Sequence, residues 1–326
     1  MRGGLARALA VCTLLGCACG DNHWQAPAWG IGVTQLAVGP DPQCSDQAQA
    51  LLDGILPNPH LVLPTYEHSG HAVHPDVLFR PDATPYPFVM AVTPYRNTRG
   101  TTENPSVFVS RDGNIWEVPP GGPNPIVMAP RGGYNNDPDL LFDVRSAEYR
   151  LYYQETVKPS YQAVKLARSR DLRSWQVSTV MHMAQPDATT GLTLSPSVVW
   201  VADHYEMFVM VFGGTIWRGA SADGLAWSWA QFAPIALDAG AVQPWHLDVQ
   251  WSPLDGFTML LAGYVGATYL PQALYWGQSR DGHEWRVAPV PLLRAEDLDV
   301  DVPPASLYRG TAVRCQRTQV WYSYRY

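Results

Sequence analysis

The chain has 326 residues, 46% of them hydrophobic, with 13 Trp, 16 Tyr and a formal net charge of −7. That length and apolar fraction suffice for one large domain with a sizeable core, and the acidic balance argues against a nucleic-acid partner. The 27 Gly and 29 Pro are scattered between short apolar runs, which fits many strands joined by turns and not a disordered chain.

In chain order, Arg2 and Arg7 precede a short apolar stretch ending in small residues, the anatomy of a secretory signal and too short to span a bilayer. Leu14-Leu15-Gly16-Cys17 resembles the bacterial lipobox, which implies that Cys17 becomes the lipidated first residue; Cys19 is a second candidate. The expected organisation is a signal peptide over 1–16, a tether over 17–30 and one domain over 31–326. The expected location is the cell envelope, lipid-anchored and extracytoplasmic, with plain secretion as the alternative. After processing, Cys44 and Cys315 remain as a plausible disulfide in an oxidising compartment, against the alternative of two buried thiols.

The domain is organised by four copies of one phrase: S-R-D-G-N-I-W from Ser110, S-R-D-L-R-S-W from Ser169, S-A-D-G-L-A-W from Ser221 and S-R-D-G-H-E-W from Ser279. Their starts lie 59, 52 and 58 residues apart, a period of propeller blades or solenoid repeats. Asp and Ser can bond nearby amides, Gly permits positive φ and Trp buries a large face, so each phrase caps a hairpin. A second repeat lies upstream of the phrases and once more near the C-terminus: H-P-D-V-L-F from His74, D-P-D-L-L-F from Asp137, S-P-S-V-V-W from Ser195, H-L-D-V-Q-W from His246 and Y-R-G-T-A-V from Tyr308. These read as five inner strands, three with Pro at the entrance. The fifth unit ends after two strands, and Gly32 to Val38 reads as the strand that completes it. The expected fold is therefore all-β, a five-bladed β-propeller closed by an N-terminal strand, which removes exposed sheet edges.

In a propeller, inner-strand entrances face a common funnel. The first positions of the five units are His74, Asp137, Ser195, His246 and Tyr308, and the third are Asp76, Asp139, Ser197, Asp248 and Gly310. Paired carboxylates with aromatic walls suit glycoside cleavage, although charged residues at strand starts are also common turn formers. On Asn135-Asn136-Asp137-Pro138 and the blade grammar, the chain resembles the five-bladed glycoside hydrolases of families 43, 32 and 130. That resemblance implies a catalytic or tuning role for Asp137 and, through His74-Pro75-Asp76, for Asp76. It also implies a third-blade general acid, usually Glu, where this chain has Thr193-Leu194-Ser195-Pro196. Glu103 is the candidate replacement acid, and Asp76, Glu103 or Asp248 is the second carboxylate that would work with Asp137 in acid and base roles. Tyr95 and Arg96 in the loop 93–100, with Asp139, Trp245 and His246, are candidate sugar contacts. Arg309 either pairs with a substrate carboxylate or neutralises the Asp ring.

The expected function is a carbohydrate-active propeller acting on an oligo- or polysaccharide as a glycoside hydrolase; a non-catalytic glycan-binding propeller is the alternative. A monomer is expected. No catalytic metal is expected, because neither C-x-x-C nor H-E-x-x-H occurs; the His68, His71, His74 triplet in a Gly-containing loop reads as a solvated loop, with metal binding as the alternative. A structural Ca2+ is compatible with the acidic ring, and no cofactor is required.

Overall fold

The computed structural model describes residues 29–36, 44–157, 161–183, 193–211 and 213–326. The signal peptide, Cys17 and most of the tether lie outside the described residues. The elements in chain order are β1 (Trp29–Leu36), α1 (Asp46–Asp53), β2 (Asn58–Leu61), β3 (Ala72–Phe79), β4 (Phe88–Pro94), β5 (Ser106–Ser110), β6 (Tyr134–Asp143), β7 (Glu148–Val157), β8 (Tyr161–Ser169) and β9 (Gln176–Met183). They continue with β10 (Thr193–Val201), β11 (His204–Val211), β12 (Thr215–Ser221), β13 (Ala233–Pro234), β14 (Ala236–Asp238), β15 (Gln243–Ser252), β16 (Gly256–Tyr264), β17 (Ala273–Ser279), β18 (Glu284–Val287), β19 (Ser306–Arg314) and β20 (Thr318–Arg325).

These strands form five antiparallel blades, β3-β4-β5, β6-β7-β8-β9, β10-β11-β12-β13, β15-β16-β17-β18 and β19-β20-β1-β2, with β14 added in parallel to the edge of the fourth. The chain is an all-β five-bladed propeller closed by its N-terminal strand. Closure runs along the whole of β1, from Trp29 opposite Arg325 to Leu36 opposite Thr318. The closing blade also takes β2 as its outer strand, which the sequence does not announce because Asn58–Leu61 is short and carries a Pro. Between β1 and β2, the Ser45 hydroxyl caps α1 by accepting from the Ala48 amide, and Ala48 and Leu52 pack into a core with Ile31, Phe88 and Trp321. Beside this helix, Cys44 and Cys315 are joined in a disulfide with Cα atoms 5.1 Å apart.

The four phrases build turns of one type, in each of which the Ser hydroxyl and the Asp carboxylate accept from amides that follow them. In the fourth, the Gly282 amide donates to Ser279 Oγ at 2.9 Å, and His283 and Glu284 amides donate to Asp281 Oδ1 at 2.8 and 3.0 Å. Trp285 Nε1 then closes on the Gly282 carbonyl at 2.9 Å. The fourth phrase position takes left-handed φ in every copy, +76° at Gly113, +61° at Leu172, +70° at Gly224 and +73° at Gly282. Glycine tolerates this without penalty and Leu172 does not. Leu172 is nonetheless buried in the core between the first two blades, so its packing offsets the conformational cost.

Candidate functional site

Each inner strand carries a register shift near its entrance: between Val73 and Asp76, Asn136 and Asp139, Leu194 and Ser197, Pro244 and His246, and Leu307 and Gly310. In the three blades with Pro at the second position, the residue before it is left-handed, with φ of +56° at His74, +51° at Asp137 and +49° at Ser195. A bulge re-aims side chains, and non-glycine residues in this region cost of order 1–3 kcal/mol unless the surroundings hold them. The consequence is two distinct rings of polar groups, one from the first repeat position and one from the third.

The third-position ring stitches blade to blade. Asp76 accepts from the Leu140 amide of the next blade, Asp139 from Val198 at 3.0 Å, and Ser197 from Val249 at 2.9 Å. Asp248 accepts from the Ala312 amide, and the Thr311 hydroxyl donates to Asp248 at 3.0 Å and Asp76 at 3.2 Å, completing the circuit. Burial raises the pKa of Asp76; burial and the neighbouring Asp76 and Asp248 charges hold Asp139 well above the usual range. Burial, then Asp76, pushes Asp248 up to about 8. Each of these three acids thus has an oxygen committed to backbone N–H groups of the neighbouring blade.

The first-position ring is different in kind. Asp137 Oδ1 lies 3.2 Å from His74 Nε2, 3.4 Å from His246 Nδ1 and 3.7 Å from Arg309 Nη1. The other Asp137 oxygen accepts from Asn136 Nδ2 at 2.9 Å. Hydroxyls hold both imidazoles through Nδ1, Thr93 on His74 at 2.9 Å and Ser195 on His246 at 2.6 Å. His74 Nε2, His246 Nε2 and Asp137 Oδ1 are buried without a hydrogen-bond partner among the described residues. Burial holds both imidazoles well below their usual pKa, with Arg309 adding to the effect, so both rings are neutral and offer lone pairs.

One ligand atom from each of His74, Asp137 and His246 lies within 4.8 Å of the others, a group able to hold a metal ion. Two neutral imidazoles and one carboxylate suit a transition-metal ion better than calcium, which prefers oxygen. Thr93 and Ser195 are then the groups that orient the two imidazoles. Zinc signatures fail to reveal this set because its members come from three blades. His74 joins it, while His68 is exposed and His71 half-buried in the preceding loop.

The remaining candidates fall around this centre. Tyr308 packs against both imidazoles, with centroids 5.5 Å from His74 and 4.6 Å from His246, and accepts a hydrogen bond from Trp245. Glu103 is buried, and its backbone carbonyl receives the Asn135 amide at 2.9 Å. Burial raises the pKa of the Tyr95 and Tyr308 phenols, and the Glu103 charge adds to both shifts. Tyr95 is half-buried and meets Trp29 edge-on at 5.3 Å, whereas Arg96 is exposed. Arg309 is fully buried and interacts with Asp137 of one ring and Asp76, Asp139 and Asp248 of the other, the placement of a counter-charge between them. Residues that the sequence reading did not single out for the funnel are Trp29, Thr93 and Tyr269, whose ring stacks on Trp245 at 5.1 Å. No spacing marks them, since they reach the funnel from a closing strand, a second strand and a loop.

The fold and this inner ring define a five-bladed propeller of the architecture found in glycosidases. No protein-family model matches the chain. It is similar to the A type blood N-acetyl-α-D-galactosamine deacetylase of Flavonifractor plautii, 24% identical over 323 aligned positions that cover 79% of this chain and 41% of the relative. The chain therefore spans less than half the length of that curated relative. Among solved structures, an N-acetylgalactosamine deacetylase from F. plautii in complex with blood group B trisaccharide aligns with a TM-score of 0.66 at 22% identity, covering 78% of this chain and 79% of that one. A glycosyl hydrolase from Bacteroides ovatus aligns at 0.52 and 12% identity, covering 77% and 83%.

Proposed function

We propose that the protein is a carbohydrate-active hydrolase that removes the acetyl group from an N-acetylated sugar, with His74, Asp137 and His246 holding a divalent transition-metal ion. The observation that carries this reading is the convergence of two buried imidazoles and one buried carboxylate from separate blades, with one ligand atom of each within 4.8 Å of the others. The resemblance to a deacetylase supports the choice of bond, and the blade-to-blade bonds of Asp76 and Asp248 engage two of the four carboxylates considered for glycoside cleavage. The ion would supply Lewis acidity at the acetyl carbonyl. Thr93 and Ser195 hold the imidazoles in place, and Arg309 compensates Asp137. Glu103 takes a proton from the attacking water as its oxygen bonds to the acetyl carbon. The C–N bond then breaks, the sugar nitrogen accepts the proton, and acetate leaves.

The test is metal content together with product. Purified protein should carry about one transition-metal ion per chain, and acetate should be released from N-acetylgalactosamine-terminated oligosaccharides. Asp137→Asn and His246→Gln should lose both. Reducing-sugar release without acetate would return the site to glycoside cleavage. Saccharide binding with neither product would leave the non-catalytic glycan-binding reading.

We further propose an envelope location with a lipid on Cys17. The Cys44–Cys315 disulfide supports an oxidising compartment. Incorporation of labelled palmitate by the parent and not by Cys17→Ala is the measurement that checks it.

A further inference from the structure

Outward from His246 the funnel continues as an aromatic shelf. Trp245 stands perpendicular to His246 with centroids 6.0 Å apart, and Tyr269 lies nearly parallel on Trp245 at 5.1 Å and 19°. Tyr264 meets the same indole edge-on at 6.4 Å. Tyr269 thus covers one indole face, and Tyr269 itself is 47% exposed. An aromatic ring left open beside a polar funnel offers an electron-rich face to the C–H face of a sugar ring.

The loop that presents Tyr269 is tied down on both sides. Gln243 Nε2 donates to the Gly266 carbonyl at 2.9 Å, Thr268 Oγ1 to the Leu270 carbonyl at 2.7 Å, and Gln272 Nε2 to the Tyr269 carbonyl at 2.9 Å. Trp245 behind it is held by its bond to the Tyr308 hydroxyl. A platform ordered before binding loses little entropy when a ligand lands on it. Burial, then the Glu103 charge and the Tyr269 phenol of blade four, raise the pKa of the Tyr95 phenol of blade one. Other exposed apolar side chains, such as Val62 and Ile115, have no comparable aromatic backing.

We propose that the outward face of Tyr269, backed by Trp245, is a second sugar subsite that receives the ring next to the one whose acetamido group reaches the centre. The ligand class is then an oligosaccharide terminus of at least two sugars, and not a free monosaccharide. This inference rests on the carbohydrate reading above and adds the position and length of the ligand.

The experiment compares binding of N-acetylgalactosamine, a disaccharide and a trisaccharide that carry it at the non-reducing end, measured by titration calorimetry. Parent, Tyr269→Ala and Tyr269→Phe are the proteins. The parent should bind the disaccharide about five- to tenfold more tightly than the monosaccharide. Tyr269→Ala should lose that increment, and Tyr269→Phe should keep it because the ring remains. An increment retained by Tyr269→Ala overturns the proposal, as does its loss in Tyr269→Phe, which would assign the contact to the hydroxyl. Acetate release with no gain from mono- to disaccharide overturns the subsite alone. Absence of any saccharide binding overturns the subsite and the carbohydrate reading together.

Discussion

Reduction of the Cys44–Cys315 bridge isolates the energetics of ring closure. The two cysteines are 271 residues apart in sequence, so the cross-link restricts nearly the whole unfolded chain. In the chain-entropy relation, a loop of that size corresponds to about 5–6 kcal/mol at 25 °C. Two features of the fold bear on how much appears. The β1–β20 ladder closes the same blade with eight residue pairs, so the native state does not depend on the bridge for its topology. Cys315 is fully buried beside α1, and a thiol there packs as a small apolar group with little native penalty. The loss should therefore come mainly from the freed unfolded chain. Urea unfolding of the parent and a Cys44→Ala/Cys315→Ala pair should show a midpoint lower by roughly 1–2 M in the variant, with the slope rising as the unfolded state expands. Coincident midpoints and slopes would refute the argument and assign closure to the ladder alone.

Asp139→Ala should cost about 1–3 kcal/mol in thermal unfolding because it strands the buried Val198 amide, whereas Asp139→Asn keeps an acceptor and should unfold close to the parent; equal losses would show that charge and not the blade-to-blade bond matters. The phrase carboxylates Asp112, Asp171, Asp223 and Asp281 all have lowered pKa values, Asp281 at about 2 through the Glu284 and His283 amides. Below about pH 4 the unfolded chain takes up these protons before the folded one. Their contribution is complete above that pH and lost as pH falls toward 2, so Asp281→Asn should melt with a shallower acid slope than the parent. If His74, Asp137 and His246 hold an ion, adding Zn2+ or Mn2+ to chelator-treated protein should raise its melting temperature in proportion to the logarithm of free metal. His74→Ala should abolish that dependence, and an unchanged dependence would place the ion elsewhere.

The propeller is legible because its information is repeated. Four phrases and five inner strands each report a local requirement, a polar turn or an apolar run that in three copies follows Pro, and errors in one copy are outvoted by the others. Elements used once are less visible. The helix α1 has eight residues, β2 has four and the parallel strap β14 has three; each is stabilised by what it packs against and not by its own pattern. The site was legible as a list of positions but not as a division of labour. Asp76 and Asp137 look alike in sequence, each next to Pro at an inner-strand entrance.

What separates them is the backbone between. With Pro following, His74, Asp137 and Ser195 adopt left-handed φ, and the register slips before the third position resumes pairing. The bulge sets the first side chain apart from the strand's ordinary alternation and leaves the third inside it, where the nearest polar partner is the next blade's amide. The same short repeat therefore produces a ring in which His74 Nε2, Asp137 Oδ1 and His246 Nε2 have no hydrogen-bond partner among the described residues, and a ring in which Asp76, Asp139 and Asp248 accept from neighbouring blades. Arg309 lies between them because both are acidic and one guanidinium serves both. Removing the Pro should then act on the first-position ring first. Pro138→Ala frees the φ of residue 138 and adds a backbone N–H at the bulge, which should loosen the backbone that aims Asp137 Oδ1 at His74 and weaken metal binding more than it lowers the melting temperature. A loss of stability with metal affinity unchanged would show that the bulge is held by the blades and not by the Pro.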